Sequence, residues 1–291
     1  MASTSSSFVS SADGTQISTF TWGGAREPVI GTVQIAHGLA EHAARYDRLA
    51  QALNAAGFLA YATDHRGHGV TGQSALGDFG DAGFDGLIAD MAQYGASIAA
   101  DHPDLPLFLI AHSMGSFAAQ SLIIDHSDLY AGVVLSGSTA LDVLAANLAQ
   151  SEGPVGLEAF NAGFEHRTGY EWLSRDEAEV DKYVADPWCG FDTPPETVPA
   201  LFAHAAQLAD PEVLARIRAD LPMLVTSGSN DPLSGGGELV GLLAQRYRDA
   251  GLSDVTVKVY DGARHEIFNE TNCDEVTANV IDWLVSHVRS A

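Results

Sequence analysis

The run Leu107-Phe108-Leu109-Ile110-Ala111-His112-Ser113-Met114-Gly115-Ser116 decides how the rest of this 291-residue chain is read. Five apolar residues break at His112 into a serine that has a small residue two positions to either side, Ala111 and Gly115. An apolar strand ending in small-x-Ser-x-Gly has the form of a nucleophile elbow, a tight strand-to-helix turn that holds a hydroxyl proud of the sheet. Small residues there let neighbouring segments approach. Ser113 is the first candidate nucleophile, and an ordinary helix N-cap serine is the competing reading. Partners elsewhere in the chain decide between them.

Working outward, Ala12-Asp13-Gly14-Thr15 lies between two short β-prone runs and signals a hairpin. Residues 29–36 read as a buried strand ending at His37-Gly38. Tyr46, Leu49, Leu53 and Ala56 then mark the apolar face of a helix that stops at Gly57. A strand over 58–63 runs into the turn-rich Asp64-His65-Arg66-Gly67-His68-Gly69. A helical pattern over about 84–100 leads past Pro103 and Pro106 to the Ser113 strand, with a helix after it and a strand over 131–136. Strands alternating with helices imply a mostly parallel sheet flanked by helices, with Ser113 on the edge where the strands end.

From 139 to 219 the alternation stops, and helical segments follow one another between Pro154, Pro187, Pro194-Pro195 and Pro211. This reads as a helical cap inserted after the sixth strand, which divides the chain into a core of 1–138 with 220–291 and an insertion of 139–219. Phe160, Phe164 and Trp172 concentrate aromatic surface in the insertion, as a face packed on the core or as a groove for substrate. The alternation resumes with a strand over 223–226, a helix through Leu239, Leu243 and Tyr247, and a strand over 255–260. A last helix carries Val276, Val280 and Leu284 on one face.

A serine hydroxyl needs a base to take its proton, and the base needs a carboxylate to orient it. Asp231 follows the strand at 223, and His265 follows the strand at 255, the acid-then-histidine order that an elbow on such a sheet requires. Ser113, Asp231 and His265 are therefore the expected triad. Acyl transfer also needs amide donors aimed at the developing oxyanion. The amide of Met114 follows the nucleophile, and that of Leu39 sits where His37-Gly38-Leu39 can turn toward it.

The 14 basic and 38 acidic residues give a formal net charge of −24, which repels nucleic-acid phosphates and anionic bilayers. Nucleic acid is excluded as a partner on that ground. No apolar run approaches the roughly 20 residues of a membrane span, and the first ten residues carry no secretory pattern. Two distant cysteines, Cys189 and Cys273, give no disulfide framework, so a cytoplasmic protein is expected. The histidines of 65–68, and His37, Glu41 and His42, fall on turns without a third ligand nearby in sequence, so no metal is expected. No glycine loop with its lysine is present to cradle a phosphate.

These pieces resemble the α/β-hydrolase superfamily, and within it the monoacylglycerol lipase and lysophospholipase-like serine hydrolases. The likeness rests on His37-Gly38-Leu39-Ala40-Glu41-His42 with Arg45-Tyr46, on Asp64-His65-Arg66-Gly67-His68-Gly69, on His112-Ser113-Met114-Gly115, and on His265-Glu266-Ile267-Phe268-Asn269-Glu270. It departs at Ala111 and Ser116, where the family often has glycine. The resemblance implies the same triad, the Leu39 and Met114 oxyanion hole, no cofactor, and a cap over an acyl-chain pocket.

The activity expected is hydrolysis of a small lipid-like ester with an apolar acyl group, through an acyl-enzyme. A carboxylesterase for short acyl or aryl esters and a lysophospholipase use the same residues. A non-catalytic small-molecule receptor on the same fold is the reading from outside enzymes.

Overall fold

The computed structural model describes residues 3–150 and 157–288; Pro154 and the first two residues lie outside them. Among the described residues, eight strands form one sheet in the order β1-β2-β4-β3-β5-β6-β7-β8. These are β1 (Thr4–Val9), β2 (Gln16–Trp22), β3 (Gly31–Ala36), β4 (Phe58–Thr63), β5 (Leu107–His112), β6 (Gly132–Ser136), β7 (Met223–Gly228) and β8 (Val255–Tyr260). The first two make the hairpin, β2 runs antiparallel to β4, and every later pairing is parallel.

Helices α1 (Asp47–Ala55), α2 (Gly83–Asp101), α3 (Met114–His126), α4 (Leu141–Gln150), α5 (Glu177–Ala185), α6 (Thr197–Leu201), α7 (Pro211–Leu214), α8 (Glu238–Asp249) and α9 (Cys273–His287) complete the order. No helix among the described residues is long and apolar enough to cross a membrane.

Because β5 is central, both its faces are buried, and its side chains divide between two cores. Leu107, Leu109 and Ala111 pack with Leu87 and Met91 of α2, with α3 and with Tyr247 of α8. Phe108 and Ile110 pack on the other side with Leu49 and Leu53 of α1 and Val276, Val280 and Leu284 of α9. A continuous apolar run is what two-sided burial demands. Truncating Ile110 to alanine would cost about 2–5 kcal/mol.

The outer strand β8 is half exposed and carries Lys258 along its edge, a charge that discourages pairing with another chain. The strand expected from 29 begins at Gly31, and just ahead of it the Ile30 N–H already donates to the Gly57 carbonyl at 2.9 Å beside β4. Between β6 and β7 the described elements are all helical, and they lie over the carboxyl ends of the parallel strands.

Candidate active site

At the end of β5 the chain turns into α3 at Ser113, whose φ of 49° is in the left-handed region that non-glycine residues seldom occupy. The turn is held by the Ser113 N–H donating to the Ser136 carbonyl at 2.9 Å. Its own carbonyl accepts from the Phe117 amide at 3.0 Å and the Ser116 hydroxyl at 2.6 Å. Ser116 thus has a structural use where glycine was the family expectation. Gly115 has no such latitude, since a Cβ there would sit 2.6 Å from the carbonyls of Ala36 and His37.

Asp231 and His265 come together at the ends of β7 and β8. His265 Nδ1 lies 2.9 Å from Asp231 Oδ2, with both side chains buried. The Ser227 hydroxyl donates to the same oxygen at 2.6 Å, and the Leu233 amide donates to Oδ1 at 2.9 Å. The two loops are tied by the Asn230 amide to the Ala263 carbonyl and the Ser229 amide to the Tyr260 carbonyl, each 2.9 Å. The His265 backbone N–H donates to the Trp172 carbonyl, and the Trp172 ring lies 4.8 Å from the imidazole, so a residue of the helical segment shields it.

The electrostatics follow from burial and contact. Burial alone would lower the His265 pKa, but the Asp231 carboxylate beside it, with Glu266 and Glu41 further out, holds it above the ordinary histidine value. Burial alone would raise Asp231, and the imidazole with its hydrogen bonds brings it below the usual carboxylate range. Each group stabilises the charged form of the other.

The loop after β3 passes close enough to Ser113 that a Cβ on Gly38 would meet the serine Cβ at 3.2 Å. The Gly38 N–H donates to Glu41 Oε1 at 2.5 Å, and the Ala40 N–H donates to His68 Nε2 at 3.1 Å. His68 Nδ1 in turn donates to the Arg66 carbonyl, and His37 Nδ1 donates to that of Gly38 while His37 Nε2 accepts from the His65 amide. Both roles require neutral rings, and burial pushes His37 and His68 well down, His68 to about 3. Leu39 and Met114 line one cavity with Ser113, and Met114 is the first residue of α3, whose opening amides have no intrahelical acceptor.

That cavity has a volume of about 560 Å³, and none of the described side chains lining it is charged. Phe160 and Trp172 are among them, their rings 5.2 Å apart. Phe164 does not line that cavity: its ring lies under the Arg264 guanidinium at 4.8 Å and faces an adjoining open hollow that Phe160, Ser229, Asn230 and Asp231 also line. Phe164 is four residues after Phe160, but the helical turn of 157–161 ends at Asn161, so the helical spacing that would place the two side by side no longer applies.

Sequence reasoning missed the buried charges behind the site. Glu41 accepts from Gly38, from the Tyr46 hydroxyl at 2.8 Å and from Arg45 at 2.6 Å, and Arg45 reaches on to Glu266. The signal was the Glu41 and Arg45 pair four residues apart beside an apolar helix face. Among the described residues, the group of three with metal-donor spacing is His42, Asp186 and Cys189, none of them in the expected triad.

The chain matches the model of the Hydrolase_4 family, described as serine aminopeptidase, S33, over residues 27–272. It is 33% identical over 272 residues to a monoacylglycerol lipase of Mycolicibacterium smegmatis, with 89% of each chain covered. It is 30% identical over 278 residues to a monoglyceride lipase of Mus musculus, covering 88% of this chain and 83% of that one. Among solved structures it is similar to a thermostable carboxyl esterase from Bacillus coagulans in complex with glycerol, with a TM-score of 0.85 and 29% identity over 99% of both chains.

Proposed function

Since the chain belongs to the Hydrolase_4 family and is a serine carboxylic-ester hydrolase of monoacylglycerol lipase type on the α/β-hydrolase fold, we propose that Ser113, His265 and Asp231 carry out its chemistry. His265 takes the proton of Ser113 as the hydroxyl attacks the ester carbonyl, and returns it to the departing alcohol. Water, activated by the same imidazole, then releases the acid. Asp231 fixes the tautomer with the proton on Nδ1 and stabilises the imidazolium. The amides of Leu39 and Met114 receive the oxyanion, where loss of one donor typically costs about 10² to 10³ in turnover.

The observation that supports a lipid ester is the uncharged cavity opening on Ser113. Its volume falls in the roughly 300–1,000 Å³ range of small-molecule sites, and each methylene of an acyl chain buried there contributes about 0.8 kcal/mol. A peptide substrate would bring an α-ammonium group, for which this lining offers no carboxylate. The residues 139–219 act in this reading as a cap that supplies most of the apolar wall. A second reading, hydrolysis of short esters, is favoured by the likeness to the carboxyl esterase.

Turnover of monoacylglycerols of graded chain length, beside p-nitrophenyl esters and lysophosphatidylcholine, tests the proposal. A rise in kcat/KM with acyl length on monoacylglycerols supports it. Preference for acetyl esters with no monoacylglycerol turnover establishes the second reading instead. Failure of a fluorophosphonate to label Ser113 in folded protein removes the triad assignment.

A further inference from the structure

The first residue beyond the oxyanion loop, His42, is brought against a turn far away in sequence. Its Nε2 lies 2.9 Å from Asp186 Oδ2, and a ring nitrogen, an Asp186 carboxylate oxygen and Cys189 Sγ all fall within 4.8 Å of one another. His42 is 7% exposed, and its Nδ1 is buried without a hydrogen-bond partner. In either neutral tautomer one lone pair is therefore badly placed. With the proton on Nε2, the Nδ1 lone pair is buried and unused; with the proton on Nδ1, the Nε2 lone pair faces a carboxylate oxygen. A cation on Nε2 bridges that contact with the carboxylate, while the Nδ1–H keeps its buried place without an acceptor.

We propose that His42, Asp186 and Cys189 bind a divalent transition-metal ion, with Zn²⁺ the best match. One imidazole nitrogen, one thiolate and one carboxylate are the donors that Zn²⁺ takes, whereas Ca²⁺ and Mg²⁺ take oxygen. Tetrahedral bonds of roughly 2.0–2.3 Å require the widest separation in the trio to contract by about an ångström.

The turn is already shaped for this, because the Trp188 amide donates to Asp186 Oδ1 and the Cys189 amide to the Asp186 carbonyl, leaving Oδ2 toward His42. A hollow of about 350 Å³ lined by His42, Asp186 and Glu179, with Cys189 behind it, reaches two of the three donors and has room for a water as fourth ligand. Its cations are matched by acids: Arg45 with Glu41 and Glu266, Arg48 and Lys182 with Glu179. On binding, the S–H bond of Cys189 breaks, its proton leaves to solvent, and a metal–sulfur bond forms.

The position gives the ion something to act on. The Ala40 carbonyl, next to Leu39, accepts from the Gly190 amide at 3.0 Å and the Tyr183 hydroxyl at 2.8 Å. An ion between His42 and Cys189 cross-links the same joint. The site stands independently of the triad assignment, since no triad residue is a ligand.

The test uses the full chain, stripped with a chelator and titrated with Co²⁺. Thiolate ligation gives a sulfur-to-cobalt charge-transfer band in the near ultraviolet. We expect that band to saturate at one equivalent, to be bleached by Zn²⁺, to vanish in Cys189→Ser and to survive in Cys273→Ser. Absence of the band in the unaltered chain with Co²⁺ in excess overturns the site, as does its persistence in Cys189→Ser. Should Cys189→Ser fail to fold, His42→Gln decides: Co²⁺ affinity at least about tenfold weaker supports the site, and unchanged affinity overturns it.

Discussion

Arg45 and Glu266, 221 residues apart, meet as a bidentate pair, Nη1 to Oε1 at 2.6 Å and Nη2 to Oε2 at 2.7 Å. The pair ties the loop that passes Ser113 to the residue that follows His265. Glu266 is buried and Arg45 mostly so, and the buried Glu41 shares the guanidinium. Removing one partner from such a cluster strands the others, at about 3–5 kcal/mol. We predict a loss of that size for Arg45→Met, read from urea unfolding; a change under about 1 kcal/mol would contradict it.

Ser113→Ala should fold normally and lose ester hydrolysis to background. Asp231→Asn keeps the shape of the side chain but cannot hold the proton on His265 Nδ1, so kcat should fall by about 10⁴. Steady-state kinetics on a p-nitrophenyl ester checks both, and native turnover by Asp231→Asn would remove the acid from the mechanism.

The pH profile follows from the raised His265 pKa. The base must be neutral to accept the Ser113 proton, so kcat/KM should climb with pH through a midpoint above 6.5, the ordinary histidine value. Because the Asp231 carboxylate is what raises it, the residual activity of Asp231→Asn should have its midpoint at lower pH. A midpoint that does not move separates the two groups.

Acid should weaken the fold through other histidines. His65 and His68 are held at about 3 and His112 at about 4, each chiefly because burial disfavours the charged ring. Below 6.5 the unfolded chain takes up protons at these sites that the folded chain refuses, so their contribution is whole above 6.5 and is lost as pH falls toward 3 to 4. Each histidine contributes a slope of about 1.4 kcal/mol per pH unit in that window. Unfolding free energies from urea titrations at about pH 7 and about pH 5 should differ by several kcal/mol; equal values would refute the neutral buried cluster.

Ala145 lines the cavity and Phe164 does not. Ala145→Phe should therefore cut kcat/KM for long-chain esters by about tenfold or more while sparing acetyl esters, about the discrimination that a few methylenes give. Phe164→Ala should leave the chain-length profile unchanged. A shifted profile in Phe164→Ala would return that ring to the substrate site.

The central strands and their helices were legible because burial on two faces writes itself as unbroken apolar runs, as in 107–111 and 132–135. The meeting of Asp231 with His265 was legible because strand order puts their loops on one edge. The contact of His42 with Asp186 was not legible, since ligand spacing was sought locally and the two meet across 144 residues. Arg45 with Glu266 escaped for the same reason. The surroundings of Phe164 were not legible because the segment after 161 is irregular, and an irregular backbone has no period from which to read a face.

The two hydrogen bonds into the Ala40 carbonyl, from Tyr183 and Gly190, make the covering helices and the oxyanion loop parts of one lever. At the end around 183–190 the cover cannot lift without dragging the loop that carries the Leu39 amide, the proposed oxyanion donor. The end around α4 is tied instead to α8, where Arg246 donates to both carboxylate oxygens of Asp142. Substrate range can therefore drift by remodelling α4 and its surroundings at little catalytic risk, whereas changes near Tyr183 alter rate and specificity together.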